Sequence, residues 1–428
     1  MIRAGVAALL VFVASVAHAQ DKCDPDNSAF AASEHNAVAG VLHAESIDYR
    51  RTWCRLWNAS TWTEREYQAG DFARVLFSSD GIQPAFGAAA QNSGLGGGAS
   101  FNMSPAKTNA RYGFYSVARA AVSGSWDVGA QLNIVGSAGQ GEAGHAYGSI
   151  DAQHIAATQR VFFVEAPSGA TQTYYRLDQT TARGVYHSPE FGGVSILGEA
   201  GVADFRPGHS DTSPSTDSVV SDATTPGLVS PVTYGVFGGG LNWHHPVDEH
   251  STGYSTQLAS SLRFYQGTSA YSFRRADVTW AHQYIPDTDK FQMISAAVRL
   301  ITTTPNSGSR VPFYLQPALG GNDLGHDAGL RSYEYGRFHA LDTLAAQAEY
   351  TRVFWGPLGF LVFADAATSG DALGSLGAWH QSAGVGLVVY AGGVARARVY
   401  IAWGGGHRAS GGTDNTGTWL DAAQRGVY

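Results

Sequence analysis

Beyond about Asp80 the chain alternates apolar and polar residues with a period of two, in segment after segment. From Trp126 to Ile134, the residues Trp126, Val128, Ala130, Leu132 and Ile134 share one face, and Asp127, Gly129, Gln131 and Asn133 share the other. From Arg275 to Tyr284, Ala276, Val278, Trp280 and Tyr284 oppose Arg275, Asp277, Thr279 and Gln283, with His282 the polar exception on the apolar face. From Ala395 to Trp403, Ala395, Ala397, Val399, Ile401 and Trp403 oppose Arg396, Arg398, Tyr400 and Ala402. A period of two belongs to strands with one apolar and one polar face. Arg396 and Arg398 sit between apolar neighbours. They are awkward in a sandwich core and natural in a wet barrel lumen.

The start of the chain says where such strands go. It reads MIRAGVAALLVFVASVAHAQ, with Arg3 before an apolar run from Ala4 to Val16 and a small-x-small cleavage pattern at Ala17-His18-Ala19. Residues 1–19 therefore read as a secretory signal peptide, too short in its apolar run to cross a bilayer. No later segment is long, uncharged and apolar. For an exported chain without a spanning helix, the β-barrel is the main membrane solution, because backbone exposed to lipid must be fully paired. Composition agrees: charged residues are 14% of the chain, against about 25% in soluble domains, while aromatics reach 12% and glycines number 53. Mean hydropathy is only -0.13, as expected when one strand face meets lipid and the other water. A secreted β-sandwich or β-helix is the alternative, since both also favour Gly, Tyr and Thr. The net charge of -8 argues against nucleic acid as a partner.

Residues 20–79 form a short polar segment, expected in the periplasm, with an Ala-rich helical stretch from Asn27 to Ile47. It holds both cysteines, Cys23 and Cys54. In an oxidising compartment an even pair reads as one disulfide, worth about 3–4 kcal/mol by the chain-entropy estimate. The residues before Cys23, Gln20-Asp21-Lys22, are not the small apolar ones that precede a lipidated cysteine.

Residues 80–428 are expected to form the barrel. Polar turns are predicted at His244-His245-Pro246-Val247-Asp248, Pro286-Asp287-Thr288-Asp289 and Pro305-Asn306-Ser307-Gly308. The long polar stretch from Arg206 to Val232 reads as an extracellular loop. With about ten residues per tilted spanning strand, about sixteen strands fit this region. The glycines from Gly94 to Gly98 suggest a thin or bent first strand. The chain stops on Tyr428 after Trp419-Leu420-Asp421-Ala422-Ala423-Gln424-Arg425, a weak closing strand interrupted by charge.

One stretch carries more than a pattern. From Leu315 to Ser369 the sequence runs LQPALGGNDLGHDAGLRSYEYGRFHALDTLAAQAEYTRVFWGPLGFLVFADAATS. The order Gly320-Gly321, Arg331-Ser332-Tyr333, Glu349 and Asp365 resembles the barrel of the BamA/TamA family of outer-membrane assembly proteins, the bacterial surface antigen family. Tyr271 to Tyr284, Val311 to Asp365 and Ser382 to Tyr390 carry the resemblance, while the region before Tyr174 matches in pattern only. The resemblance implies an extracellular loop folded back into the lumen, with an arginine at its tip that meets acidic wall residues. Arg331 takes the tip, Glu349 and Asp365 the wall, and Ser332 stands where the family motif has glycine. No POTRA-like alternation of strands and helices is found before the barrel. The resemblance also implies a weak seam between first and last strands that opens laterally.

Other constellations carry less. His244, His245 and His250 lie in a predicted polar turn without a cysteine, so a solvated turn is expected and no metal. There is no G-x-S-x-G elbow, and no serine can be matched to His282 or His380. The expected function is non-enzymatic and cofactor-free: insertion or transfer of proteins or lipids at the outer membrane of a Gram-negative bacterium. Outer-membrane lipids, unfolded outer-membrane proteins and barrel-assembly components are the expected partners. A passive pore is the alternative.

Overall fold

The computed structural model describes most residues from 81 to 414, with breaks in several connections, together with Thr52 and Cys54. The signal peptide, Cys23, the Ala-rich stretch, His250 and the closing segment after Asp414 lie outside the described residues; Cys54 is buried.

Among the described residues, sixteen antiparallel strands pair in strict chain order as one meandering sheet. They are β1 (Gly81–Phe86), β2 (Gly96–Met103), β3 (Tyr112–Ala121), β4 (Trp126–Val135), β5 (Tyr147–Ala166), β6 (Gly169–His187), β7 (Val194–Gly208) and β8 (Val232–His245). Next come β9 (Gly253–Gly267), β10 (Phe273–Ile285) and β11 (Gln292–Pro305), and then β14 (Asp342–Trp355), β15 (Leu358–Gly370), β16 (His380–Ala391), β17 (Val394–Gly404) and β18 (His407–Asp414). Between β11 and β14 a two-stranded ribbon, β12 (Ala318–Leu319) with β13 (Phe338–His339), stands apart from the sheet. Among the described residues β1 pairs with β2 alone and β18 with β17 alone. Among the described residues no helix is long and apolar enough to cross a membrane.

Strand parity sorts the side chains. Val128, Ile150, Val202, Phe237, Leu241, Leu258, Val278, Trp280, Val298, Val362, Val385, Val399, Ile401 and Trp403 are exposed and point outward. An apolar belt of this extent on an outer face belongs to a transmembrane barrel. The opposite face carries Asp127, Gln131, Glu199, Asp365 and Ser382, all buried. The expected all-β barrel of about sixteen strands is the observed architecture.

Three local expectations change. Strand β8 continues through His245, because both histidines keep ladder pairing with β9, so the turn starts later than its polar composition suggested. The glycine run falls in β2, not in the first strand; a Cβ on Gly98 would lie 1.9 Å from the Ala118 carbonyl oxygen, so only glycine allows this close approach to β3. Strands β5 and β6 have 20 and 19 residues, about twice the spanning length, and form a hairpin that rises beyond the belt.

That hairpin supports a cap at the end carrying the two longest connections. Tyr175, Leu177, Phe205, Tyr234 and Phe273 from the strands pack with Tyr271 of the β9–β10 connection, Leu228 of the β7–β8 connection and Phe313 and Tyr314 of the β11–β14 connection. Phe313 lies edge-on to Tyr175 and Phe162, at centroid distances of 4.7 and 4.9 Å. The two connections also touch directly: the Phe313 amide donates to the Pro226 carbonyl at 3.0 Å.

Candidate functional site

The β11–β14 connection enters the cap through a short 3-10 turn (Phe313–Leu315), then forms the β12–β13 ribbon and a tight tip at residues 330–333. Gly320 has φ +111, and a Cβ there would sit 2.2 Å from the Glu334 carbonyl oxygen. Glycine is required at that corner for both reasons. The Gly321 amide donates to the Leu330 carbonyl at 3.0 Å and closes the stem, and Leu330 is fully buried.

The tip points Arg331 at the wall. Arg331 is only 4% exposed, and Asp365 is equally buried. From Arg331, Nη2 donates to Asp365 Oδ1 at 2.7 Å, Nη1 to Glu349 Oε2 at 2.6 Å, and the backbone amide to Asp365 Oδ2 at 3.0 Å. Nε completes the fork, 3.2 Å from both Asp365 oxygens. The guanidinium carbon lies 3.5 Å from the Phe363 ring centroid, so the apolar neighbour of Asp365 becomes a cation–π platform. Glu349 also faces Arg398 Nη1 at 3.6 Å and accepts from Thr351 Oγ1 at 3.2 Å. Two arginines thus balance two carboxylates. Burial works against the Arg331 charge, but Asp365 and Glu349 outweigh it and hold its pKa above the ordinary arginine value.

Ser332 takes its space from elsewhere. Its amide donates to Ser382 Oγ on β16 at 2.9 Å, and its Oγ lies 2.5 Å from where a Gly404 Cβ would be. The glycine missing from the tip is matched by one in the facing wall. Tyr333 is buried, edge-on to Phe338 and His380 at 5.3 and 5.8 Å. Phe338 in turn stacks on His380 at 3.8 Å, which gives that histidine a packing partner.

The loop also reaches the facing wall. Arg337 pairs with Glu165 of β5, His339 packs against Phe162 at 5.0 Å, and Arg275 of β10 donates to the Leu315 carbonyl. A single connection therefore ties β14, β15 and β16 to β5 and β10 across the lumen.

Sequence reasoning placed Arg331, Glu349 and Asp365 together but missed a wider belt of lumen charges. Arg183 of β6 bonds Asp151 of β5 at 3.1 Å and faces Glu199 of β7 at 3.5 Å. Glu199 also pairs with Arg263 of β9, reaching across Gly238 of β8, where a Cβ would stand 3.2 Å from the Arg263 Cγ. Asp277 pairs with Arg299 at 2.6 Å, and Arg119 grips Asp127 through two bonds of 3.1 and 2.8 Å. The polar parity of Asp127 and Asp277 was visible in the sequence; the register that supplies their partners was not.

His244 and His245 point to opposite faces, so they do not form one cluster. His244 Nε2 faces Glu190 at 3.5 Å, while His245 stacks on Tyr254. Among the described residues no group of three or more His, Cys, Asp or Glu is placed to hold a metal. What the arrangement can do is mechanical: hold a loop inside a barrel.

The sequence matches no protein-family model and no curated protein. Among solved structures it is similar to BamA from Haemophilus ducreyi lacking POTRA domains 1-3, with a TM-score of 0.54 at 15% identity, covering 78% of this chain and 70% of that one. CdiB from Acinetobacter baumannii covers 73% of this chain and 54% of its own at 12% identity, with a TM-score of 0.47. CdiB from Escherichia coli covers 85% and 72% at 13% identity, also with a TM-score of 0.47. At such identities the likeness speaks to fold, and the fold is a BamA-type barrel.

Proposed function

We propose that this chain spans the outer membrane of a Gram-negative bacterium and assists the insertion or transfer of proteins or lipids at the seam between its first and last strands. The observation that carries the reading is the placement of the Arg331 lock. The loop tip is bonded to β14, β15 and β16, so among the described residues only β17 and β18 separate the braced wall from the edge of the sheet. A client at that edge meets strands that are held from one side only. Unfolded outer-membrane proteins, barrel-assembly components and membrane lipids are the partners this geometry suits. The work is non-enzymatic in this reading: the lock positions a loop and reacts with nothing. A passive pore fits less well, because the loop crosses the lumen between Asp365 and Glu165.

A photo-crosslinking residue at Ile82, exposed on β1, tests the proposal in living cells. Capture of barrel precursors or of lipids supports transfer at the seam. Capture confined to the chain's own last strand, together with steady single-channel conductance in planar bilayers, would replace it with the pore.

A further inference from the structure

Two outward-facing Trp–His–Thr units recur on this barrel, one near each border of the apolar belt. In the first, Trp126 (β4) packs on His154 (β5) at 4.8 Å, and His154 Nδ1 is hydrogen-bonded to Thr180 Oγ1 (β6) at 2.8 Å. In the second, Trp280 and His282 of β10 stack at 5.9 Å and 9°, and His282 Nδ1 is hydrogen-bonded to Thr256 Oγ1 (β9) at 2.8 Å. Trp126 opens β4 at the capped end of the barrel, whereas His282 stands three residues before the opposite end of β10. Tyr254 and His245 extend the second unit: the Tyr254 ring centroid lies 5.9 Å from His282 and 5.2 Å from His245.

Imidazole is a poor choice for a face that meets acyl chains, so its repetition with the same two partners needs a ligand. In each unit the threonine hydroxyl has an acceptor in Nδ1. With that hydroxyl donating, the proton of the neutral ring sits on Nε2, which has no hydrogen-bond partner among the described residues. The indole beside it adds an N–H at the same border, where tryptophan keeps its apolar body in lipid and its polar edge in the headgroup layer. Two N–H donors beside an apolar belt match the oxygens of a phosphodiester whose chains lie along that belt. We propose that these units are binding sites for the phosphate of a membrane phospholipid headgroup, one site per leaflet. The proposal rests on the membrane-spanning reading above.

The test is native mass spectrometry of the full chain released from detergent with dioleoyl-phosphatidylethanolamine or with dioleoylglycerol, which has the same chains and no phosphate. The wild type should retain the phospholipid selectively. His154→Phe and His282→Phe, which keep an aromatic ring, should each weaken one of the two sites about five- to tenfold, so that the doubly loaded species falls while one phospholipid stays bound, and leave dioleoylglycerol unchanged. Thr180→Val and Thr256→Val, near-isosteric, should show a smaller loss in the same direction. Heat-modifiable gel migration reports folding of every variant. Equal retention of both lipids by the wild type, or undiminished selectivity in the folded double His→Phe variant, overturns the proposal. Absence of heat-modifiable migration in the wild type would instead overturn the membrane reading on which it rests.

Discussion

The wall from β5 to β16 and the seam strands on either side of the sheet edge are built on different terms. Strands of 13 to 20 residues such as β5, β6, β7 and β15 carry the ion pairs Asp151–Arg183–Glu199–Arg263 and Asp277–Arg299, and the loop lock adds Arg331. At the edge, β1 has six residues and includes Pro84, while β2 is GGGASFNM and has no charged residue at all. Proline in a sheet removes a ladder donor and belongs at edges, and glycine weakens strands by entropy. One fold thus contains a braced wall and a thin margin. The contrast teaches where stability is concentrated: in side chains crossing between strands, over and above the ladder that all sixteen share.

The sharpest way to break this comparison is to remove the lock. Arg331→Ala strands two carboxylates, Asp365 buried and Glu349 nearly so, with Arg398 at 3.6 Å the remaining cation at Glu349. Breaking a buried pair from one side costs about 3–5 kcal/mol. The midpoint of heat-modifiable migration should fall steeply, and Arg331→Lys should recover part of the loss, since an ammonium lacks the planar fork. A melt unchanged by Arg331→Ala would mean that the ion pair adds nothing to the aromatic cap.

Acid should loosen the same loop at its other end. Both ring nitrogens of His339 are buried, and that burial pushes the imidazole down to about 4, outweighing the nearby Gly336 backbone. The unfolded ring titrates near 6.5, so between 6.5 and 4 the unfolded state binds the proton and the folded state does not. Stability is therefore complete above about pH 6.5 and declines as pH falls towards 4, by up to about 2–3 kcal/mol. Melts at pH 7.5 and 4.5 check the sign. His339→Phe should flatten the difference, and a slope that survives this substitution would place the sensor elsewhere.

A smaller effect is expected where the braced wall depends on a missing side chain. In Gly238→Ala the new Cβ would stand 2.6 Å from the Leu262 carbonyl oxygen and 3.2 Å from the Arg263 Cγ that must pass it to reach Glu199. Overpacking of this kind costs about 1–3 kcal/mol. Combined with Arg263→Met, the loss should be less than additive, because both changes disturb the Arg263–Glu199 contact. Chemical melts of the four proteins in the cycle give the coupling.

How much of this was legible beforehand depends on the range of the interaction. Period-two alternation set out strand faces from Trp126 to Trp403, and the trio Arg331, Glu349 and Asp365 was picked from motif order. Their pairing needs only that a loop folds inward. The Glu199–Arg263 contact needs the registers of β7, β8 and β9 together with the vacancy at Gly238, and a one-residue slip would send either charge outward. The paired turn ends at His244 and His245 were misjudged for a related reason. Polar composition marked a turn, whereas ladder bonds to Gln257 and Thr256 kept the chain extended. The length of β5 and β6 was missed because the strands were measured against the bilayer, while their upper parts are held by the aromatic cap.

The margin itself gives the smallest change in stability and the most direct test of what the margin is for. Pro84→Val restores one N–H and a β-favouring side chain to β1, a strand of six residues that pairs with β2 alone among the described residues. A half-buried position on an edge strand that has no part in the lock should move the melt by no more than about 0.5 kcal/mol. If clients cross at this edge, a firmer first strand should nevertheless lower their capture by the crosslinker at Ile82, while Arg331→Ala lowers the melt first and capture only through unfolding. Should Pro84→Val shift the melt as far as Arg331→Ala does, the two regions share one stability and the contrast between them is lost. A melt left in place with capture reduced would separate the parts of this barrel that hold it together from the part that yields.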